Sequence, residues 1–275
     1  MPRYCVSFQL YSSRRFPPIE SQLDILSGIG FDAVETYGDA YGSDAPGFRR
    51  KLDDRGLACP SAHIALDLLD SDRGSVIAIA RALGAETVVA PNIAPDRRPT
   101  TVAGWRALSQ SLADHARALI EEGLRLAWHN HDFEFRPLRD GSRPIDYILA
   151  ATGVLFEADI GMMARAGVDP ANELIKFADR LVALHVKDVA GNTTNAHGGW
   201  TDIGAGTQNW TAIWPAIAAS RANLLVFEHD DPADFRSFAE NSYRYVRRQI
   251  EECSGAQCCG IACTDGTARQ PPCSH

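Results

Sequence analysis

The sequence predicts an α/β protein built as one closed parallel (β/α)8 barrel. Three observations carry that prediction. Short β-branched or apolar runs alternate eight times with longer amphipathic ones. The eight repeats occupy about 250 residues, the usual size of such a barrel. No G-x-G-x-x-G turn follows an early strand, as an open doubly wound sheet would normally show; the turns after Leu10 and Tyr37 read YSSRR and GDAYG.

The elements run as follows. Tyr4 to Leu10 reads as the first strand, with a helix from about Pro18 to Gly28 behind it, Pro near its start and Gly at its end. Asp32 to Tyr37 is the second strand and Pro46 to Arg55 its helix, closed by Gly56. Leu57 to His63 is the third, with a helix from Asp72 to Leu83; Glu86 to Pro91 is the fourth, with a long helix from Thr101 to Glu122. Leu124 to His129 and Val154 to Asp159 make the fifth and sixth strands, with helices near Pro144 to Ala151 and Pro170 to Phe177. Leu181 to Lys187 is the seventh, followed by a long loop and a helix from Trp210 to Ala219. Asn223 to Glu228 closes the set, and a last helix runs from Asp234 to about Glu251.

Composition narrows the function classes. The formal charge is −8 and no Lys/Arg cluster precedes the last helix, whereas a nucleic-acid binder carries a basic face. The N-terminus shows no charged region followed by a long apolar stretch, and no apolar run approaches a membrane span. A soluble cytoplasmic protein is the expectation. Only Cys5 and Cys59 lie in the body of the chain; the other five cysteines crowd residues 253–275 with Gly, Ser, Thr and Pro. Their spacing fits neither a paired C-x2-C zinc pattern nor an even-numbered disulfide framework. The expected division is therefore a barrel over 1–252 and a disordered tail over 253–275 that carries none of the chemistry.

In this architecture functional groups gather where strands end at their C-terminal side, and here those ends are rich in polar residues. Five of the eight histidines fall there: His63, His129, His131, His185 and His229. His129, Asp159, His185 and Glu228 end four consecutive strands, about 4.8 Å apart from neighbour to neighbour, so the four can converge on one ion. Two imidazoles and two carboxylates form a mixed N/O donor set that suits Mn²⁺, Fe²⁺, Co²⁺ or Zn²⁺ better than Ca²⁺. A lone strand-end His is commonly a hydrogen-bonded structural residue and a lone Asp a helix cap; the joint placement is what points to a metal. At the strand-five position, His131 or Glu134 are alternatives to His129. His63 and His131 face the same mouth as candidate acid/base groups, and Lys187 is placed to neutralise a developing oxyanion, against a plain salt bridge with Asp188 or Glu157. Glu35 is expected to hold Lys187 or a substrate hydroxyl. Tyr37, Trp200 and Trp210 offer an apolar wall, and Asn92 and Glu134 complete the substrate-facing set.

The string WHNHDFEF, Trp128 to Phe135, resembles the strand-five signature of the sugar phosphate isomerase/epimerase branch of the xylose isomerase-like TIM barrels. Similar companions are Gly30 to Glu35, Ala158 to Gly161 with Ala166 to Pro170, Leu184 to Asp188, Gly204-Ala205-Gly206 before Trp210, and Phe227 to Asp230. The resemblance covers about residues 4–250 and leaves the cysteine tail without a counterpart. It implies one divalent metal, Mn²⁺ first and Co²⁺, Fe²⁺, Zn²⁺ or Mg²⁺ otherwise, binding neighbouring oxygens of a sugar or cyclitol, with a homo-oligomer as a further expectation. Many members use glutamates on strands five and eight as ligands that also move protons; here His129 stands at the first of these positions. The implied reaction is isomerisation or epimerisation by proton transfer beside a carbonyl, through an ene-diolate, with Glu228 or a nearby His as base. The alternative is a lyase or dehydratase that eliminates a β-oxygen; an endonuclease IV-type repair enzyme is disfavoured by the acidic charge.

Overall fold

The computed structural model describes residues 4–191 and 197–259, with side chains through residue 252. Eight parallel strands close into a barrel: β1 (Cys5–Gln9), β2 (Ala33–Tyr37), β3 (Ser61–His63), β4 (Thr87–Ala90), β5 (Arg125–His129), β6 (Val154–Asp159), β7 (Leu181–Val186) and β10 (Leu224–Phe227). Between the last two, β8 (Asp188–Val189) and β9 (Trp200–Thr201) form a small antiparallel pair that the sequence pattern did not announce. Consecutive strands neighbour one another, and β1 pairs with β10 through Cys5↔Leu224 to Phe8↔Phe227 to close the ring. This is the TIM-barrel fold.

Side chains alternate across each strand, and that parity sorts chemistry from packing. On β6, Val154, Phe156 and Ala158 join the apolar layer beneath the helices, while Glu157 and Asp159 take the other parity. On β7, Leu184 and Val186 pack outward and His185 does not; on β1, Val6 and Phe8 pack outward while Ser7 and Gln9 do not. At the end where strands begin, Ala183, Leu224 and Val226 form a small apolar plug of their own. The barrel interior above that plug is polar and is the only place these buried charges can meet.

Several elements differ from the expected ones. The third strand is Ser61–His63 alone, with Ala58 reaching β2 through one isolated bridge to Ala33. Pro60 has no N–H for a ladder, and its carbonyl instead accepts from Glu86 and Thr87. Short helices over Gly38–Tyr41, Leu66–Ser71 and Ile160–Arg165 fall between the expected elements. The last helix, Phe235–Cys259, passes the expected end near Glu251, there being no proline to stop it; the remainder of the cysteine tail, 260–275, lies outside the described residues. No helix among the described residues is long and apolar enough to cross a membrane.

Candidate metal centre and active site

Strand ends deliver the site residues, and short turns fix them. Asn130, just past β5, ties two strand ends together: its Oδ1 accepts from the Asp159 N–H at 2.9 Å and its Nδ2 donates to the Asp159 carbonyl at 3.3 Å. Asp159 both ends β6 and caps the following helix, Oδ1 accepting from Met162 N–H at 2.8 Å. Its Oδ2 is left to face His129 Nε2 at 3.9 Å and Lys187 Nζ at 3.5 Å. The loop after β7 is organised by Asp188, whose carboxylate accepts from the backbone N–H groups of Val189, Gly204, Gly206 and Gln208 and from Trp210 Nε1. Gly204 is required there: its φ is +87°, and a Cβ would run into the Tyr245 ring.

Two layers of charge result. In the upper layer His185 Nδ1 lies 3.0 Å from Glu228 Oε2, and Lys187 Nζ lies 2.9 Å from Glu228 Oε2 and 2.5 Å from Asp230 Oδ1. In the lower layer His185 Nε2 lies 2.7 Å from Glu35 Oε1 and 3.1 Å from Glu157 Oε2, and His63 Nε2 lies 2.9 Å and 2.7 Å from the same two groups. His129 stands between, Nδ1 3.3 Å from Glu157. Glu35 also accepts from Gln9 Nε2 at 2.7 Å and from the Ser61 hydroxyl.

Four buried carboxylates, Glu35, Glu157, Asp159 and Glu228, face one lysine here, an excess of negative charge that burial makes costly. Burial opposes charge on His63, but Glu35 and Glu157 outweigh it and raise the ring to about 10. His185 is held well above its ordinary range in the same way by Glu157, Glu228 and Glu35. Burial and the His185 charge hold His129 well below its range. Burial pushes Asp159 up to about 6, while Lys187 and His185 overcome burial at Glu228 and hold it low. Burial would lower Lys187, but its three carboxylate neighbours keep the ammonium raised. A divalent cation would supply the missing positive charge without those protons. Two sets of donor atoms lie within 4.8 Å of one another: His129, Asp159, His185 and Glu228, and His63, His129, Glu157 and His185. Among the described residues His129 Nδ1 and Glu157 Oε1 are buried without a hydrogen-bond partner. The donor chemistry and the charge excess fit a bound cation.

Above this cluster opens a cavity of about 470 Å³, bordered by His129, Lys187, Glu228 and Asp230 and walled by Tyr11, Tyr37, His63, Asn92, His131 and Met162. Tyr11 and Tyr37 meet edge to face at 5.5 Å, with Arg14 over Tyr11 at 3.8 Å. Burial, then the Lys187 charge, lowers His131 to about 4, so its ring is neutral at ordinary pH, and its Nδ1 has no partner among the described residues.

Three expected substrate contacts are corrected. Glu35 sits one layer below Tyr37 on β2, shut off from the cavity and bonded to His185 and His63 rather than Lys187. Glu134 folds back into its own turn, accepting from Trp128 Nε1 at 3.2 Å and His131 N–H at 2.9 Å, and burial raises it to about 8. Trp200 lies beneath Lys187, its ring 4.2 Å from Nζ, and does not border the cavity above the donor set. Trp210 spends its N–H on Asp188. Lys187 pairs with Asp159, Glu228 and Asp230, not with Asp188 or Glu157. The sequence assigns no separate role to Asp230, Tyr11 or Asn130 and offers Glu157 only as a salt-bridge partner of Lys187; the place of Glu157 beside the donor set is signalled by its two-residue offset from Asp159, which puts both on one face of β6.

The family model described as "Xylose isomerase-like TIM barrel" matches residues 23–252. The chain is 24% identical to an inosose dehydratase of Geobacillus kaustophilus over 86% of its own length and 88% of that protein. It is 32% identical to the rhizopine catabolism protein MocC of Rhizobium meliloti over 96 residues, only 34% of this chain and 28% of the relative. Among solved structures, a sugar phosphate isomerase/epimerase from Parabacteroides distasonis superposes with a TM-score of 0.76 at 18% identity, covering 90% of this chain and 94% of the other. A xylose isomerase-like TIM barrel protein from Mycobacterium smegmatis, solved in complex with magnesium, gives 0.67 at 16% identity, with 90% and 97% covered. With more than four-fifths of its length matched by the family model, the chain belongs to the xylose isomerase-like TIM-barrel family.

Proposed function

We propose that this chain is a metal-dependent enzyme that moves a proton at the carbon beside a carbonyl in a keto-sugar or cyclitol. The observation that carries the reading is the donor set His129, Asp159, His185 and Glu228 at the floor of the cavity, with the neutral ring of His131 beside it. When bound there, a divalent ion polarises the carbonyl and hydroxyl oxygens of a chelating substrate; Mn²⁺ heads the candidates, with Co²⁺, Fe²⁺, Zn²⁺ and Mg²⁺ after it. His131 takes the proton: its ring is neutral at ordinary pH and lies on the cavity wall beside the donor set. The Lys187 ammonium, fixed by Glu228 and Asp230, stabilises the oxygen that gains charge. Tyr11 and Tyr37 offer the carbon face of the ring an apolar wall.

Only one unengaged base borders the cavity among the described residues, because Glu35, Glu157 and Glu134 are shut beneath or behind it. A two-base epimerisation with opposed carboxylates therefore lacks its second base, and transfer of the proton by one base to the neighbouring carbon, an isomerisation, is the reading we adopt. Elimination of a β-hydroxyl from the same intermediate is the second reading, favoured by the end-to-end similarity to an inosose dehydratase. The test incubates metal-loaded protein in D2O with unphosphorylated keto-sugars and inososes. Deuterium gained at the carbon beside the carbonyl, and lost in His131→Ala, supports the proposal; no exchange with any of them contradicts it. In a parallel incubation in H2O, a product lighter by one water assigns the lyase, an unchanged mass the isomerase.

A further inference from the structure

Glu35 and Glu157 lie beneath the donor set, fully buried, and no catalytic step described above uses them. His129 and His185 belong to both donor sets, and each turns one ring nitrogen toward each layer. His185 presents Nδ1 upward to Glu228 at 3.0 Å and Nε2 downward to Glu35 at 2.7 Å and Glu157 at 3.1 Å. His129 presents Nε2 upward to Asp159 at 3.9 Å and Nδ1 downward to Glu157 at 3.3 Å. The two rings pack at 4.4 Å between centroids, so neither turns independently.

We propose that Glu35 and Glu157 are positioning residues: from below they accept the Nε2–H of His185 and the Nδ1–H of His129, so that His185 Nδ1 and His129 Nε2 are the nitrogens offered to the cation. The inference rests on the metal reading above and deepens it by choosing between the two donor sets. A ligating imidazole whose other nitrogen donates to a carboxylate has a fixed tautomer and orientation. Glu35 is already engaged in that way with His185 Nε2, and Glu157 Oε2 stands 3.3 Å from His129 Nδ1, which has no other partner among the described residues. Glu35 accepts from Gln9 and Ser61, which hold it in place, and His63 bridges it to Glu157. Both sets reach the cavity wall, the lower one through His63, but only the upper reaches it through a carboxylate, Glu228, with Lys187 and Asp230 beside it, and a catalytic metal needs a coordination position that substrate can reach. His63 thereby becomes part of the lower support rather than a metal ligand.

Two measurements test this. The first uses the zinc-loaded wild-type chain and long-range proton–nitrogen NMR correlation of the histidine rings. The expected pattern is zinc on Nδ1 and a proton on Nε2 of His185, with the reverse for His129; zinc on His185 Nε2 overturns the inference. The second is zinc affinity by chelator competition in Glu35→Gln and Glu157→Gln. We expect one equivalent still bound, with affinity about 10–100-fold weaker. Unchanged affinity in both variants, or complete loss of the equivalent in Glu157→Gln, overturns it, the latter because it makes Glu157 a ligand. A wild-type chain that binds no zinc overturns the metal reading itself, whereas zinc on the wrong nitrogen overturns only this inference.

Discussion

Asp159 caps the helix Ile160–Arg165 with one oxygen and faces the histidine cluster with the other. Helix cap and candidate ligand, rival readings of the sequence, are therefore compatible in one carboxylate. The protonation of its neighbours sets a pH dependence. In the ion-free site His185 is held well above its ordinary range and so carries its proton at neutral pH. A ligating nitrogen must give that proton up, so metal affinity is expected to rise with pH between about 6 and 8, with proton release on binding. Calorimetry in two buffers of different ionisation heat reads the released proton; equal heats in both would contradict the assignment. His131, neutral and on the cavity wall, makes a separate prediction. His131→Ala should cut kcat by about 10²–10⁴-fold with metal content unchanged, read by turnover and metal analysis on one preparation.

At the scale of elements, the strands were legible because each is a short β-branched or apolar run set between amphipathic ones, as in VLFEAD and LVALHVK. The short third strand was not, because the apolar run Leu57 to Cys59 continues its pattern up to Pro60, where the ladder cannot form. The β8–β9 pair and the helices Gly38–Tyr41, Leu66–Ser71 and Ile160–Arg165 were illegible for a different reason: at two to six residues each they are too short to show a period, and a side-chain anchor such as Asp159 or Asp188 leaves no periodic trace. Asp188 is the clearest such anchor. It is fully buried and satisfies five N–H donors of the loop from Val189 to Trp210. Asp188→Ala leaves several of them unpaired, at a cost of about 3 kcal/mol. The expected fall in melting temperature is roughly 6–12 °C for a chain of this length, with Lys187 freed from its neighbour's support. A melting temperature within about 2 °C of wild type would show that the loop does not depend on it.

For the whole molecule, the sequence made the mouth of the barrel readable because strand-end residues are brought together whatever the helices outside them do. It could not show depth. Glu35 and Glu134 look as available as Tyr37 and Asn92 in a string of letters, and only closure of the barrel puts the first pair out of reach of the cavity. The cysteine-rich end is proposed to take no part: a chain ending at Glu252 should keep the metal content of the full chain, and loss of metal on that truncation would move the chemistry out of the barrel. The central claim is the cation at the floor of the cavity, and metal analysis of the purified chain beside an Asp159→Ala/His185→Ala variant tests it most directly. One equivalent of Mn, Co, Fe, Zn or Mg in the wild type, absent from a variant that stays folded by circular dichroism, is the predicted result. A folded variant that keeps its full equivalent would contradict the account.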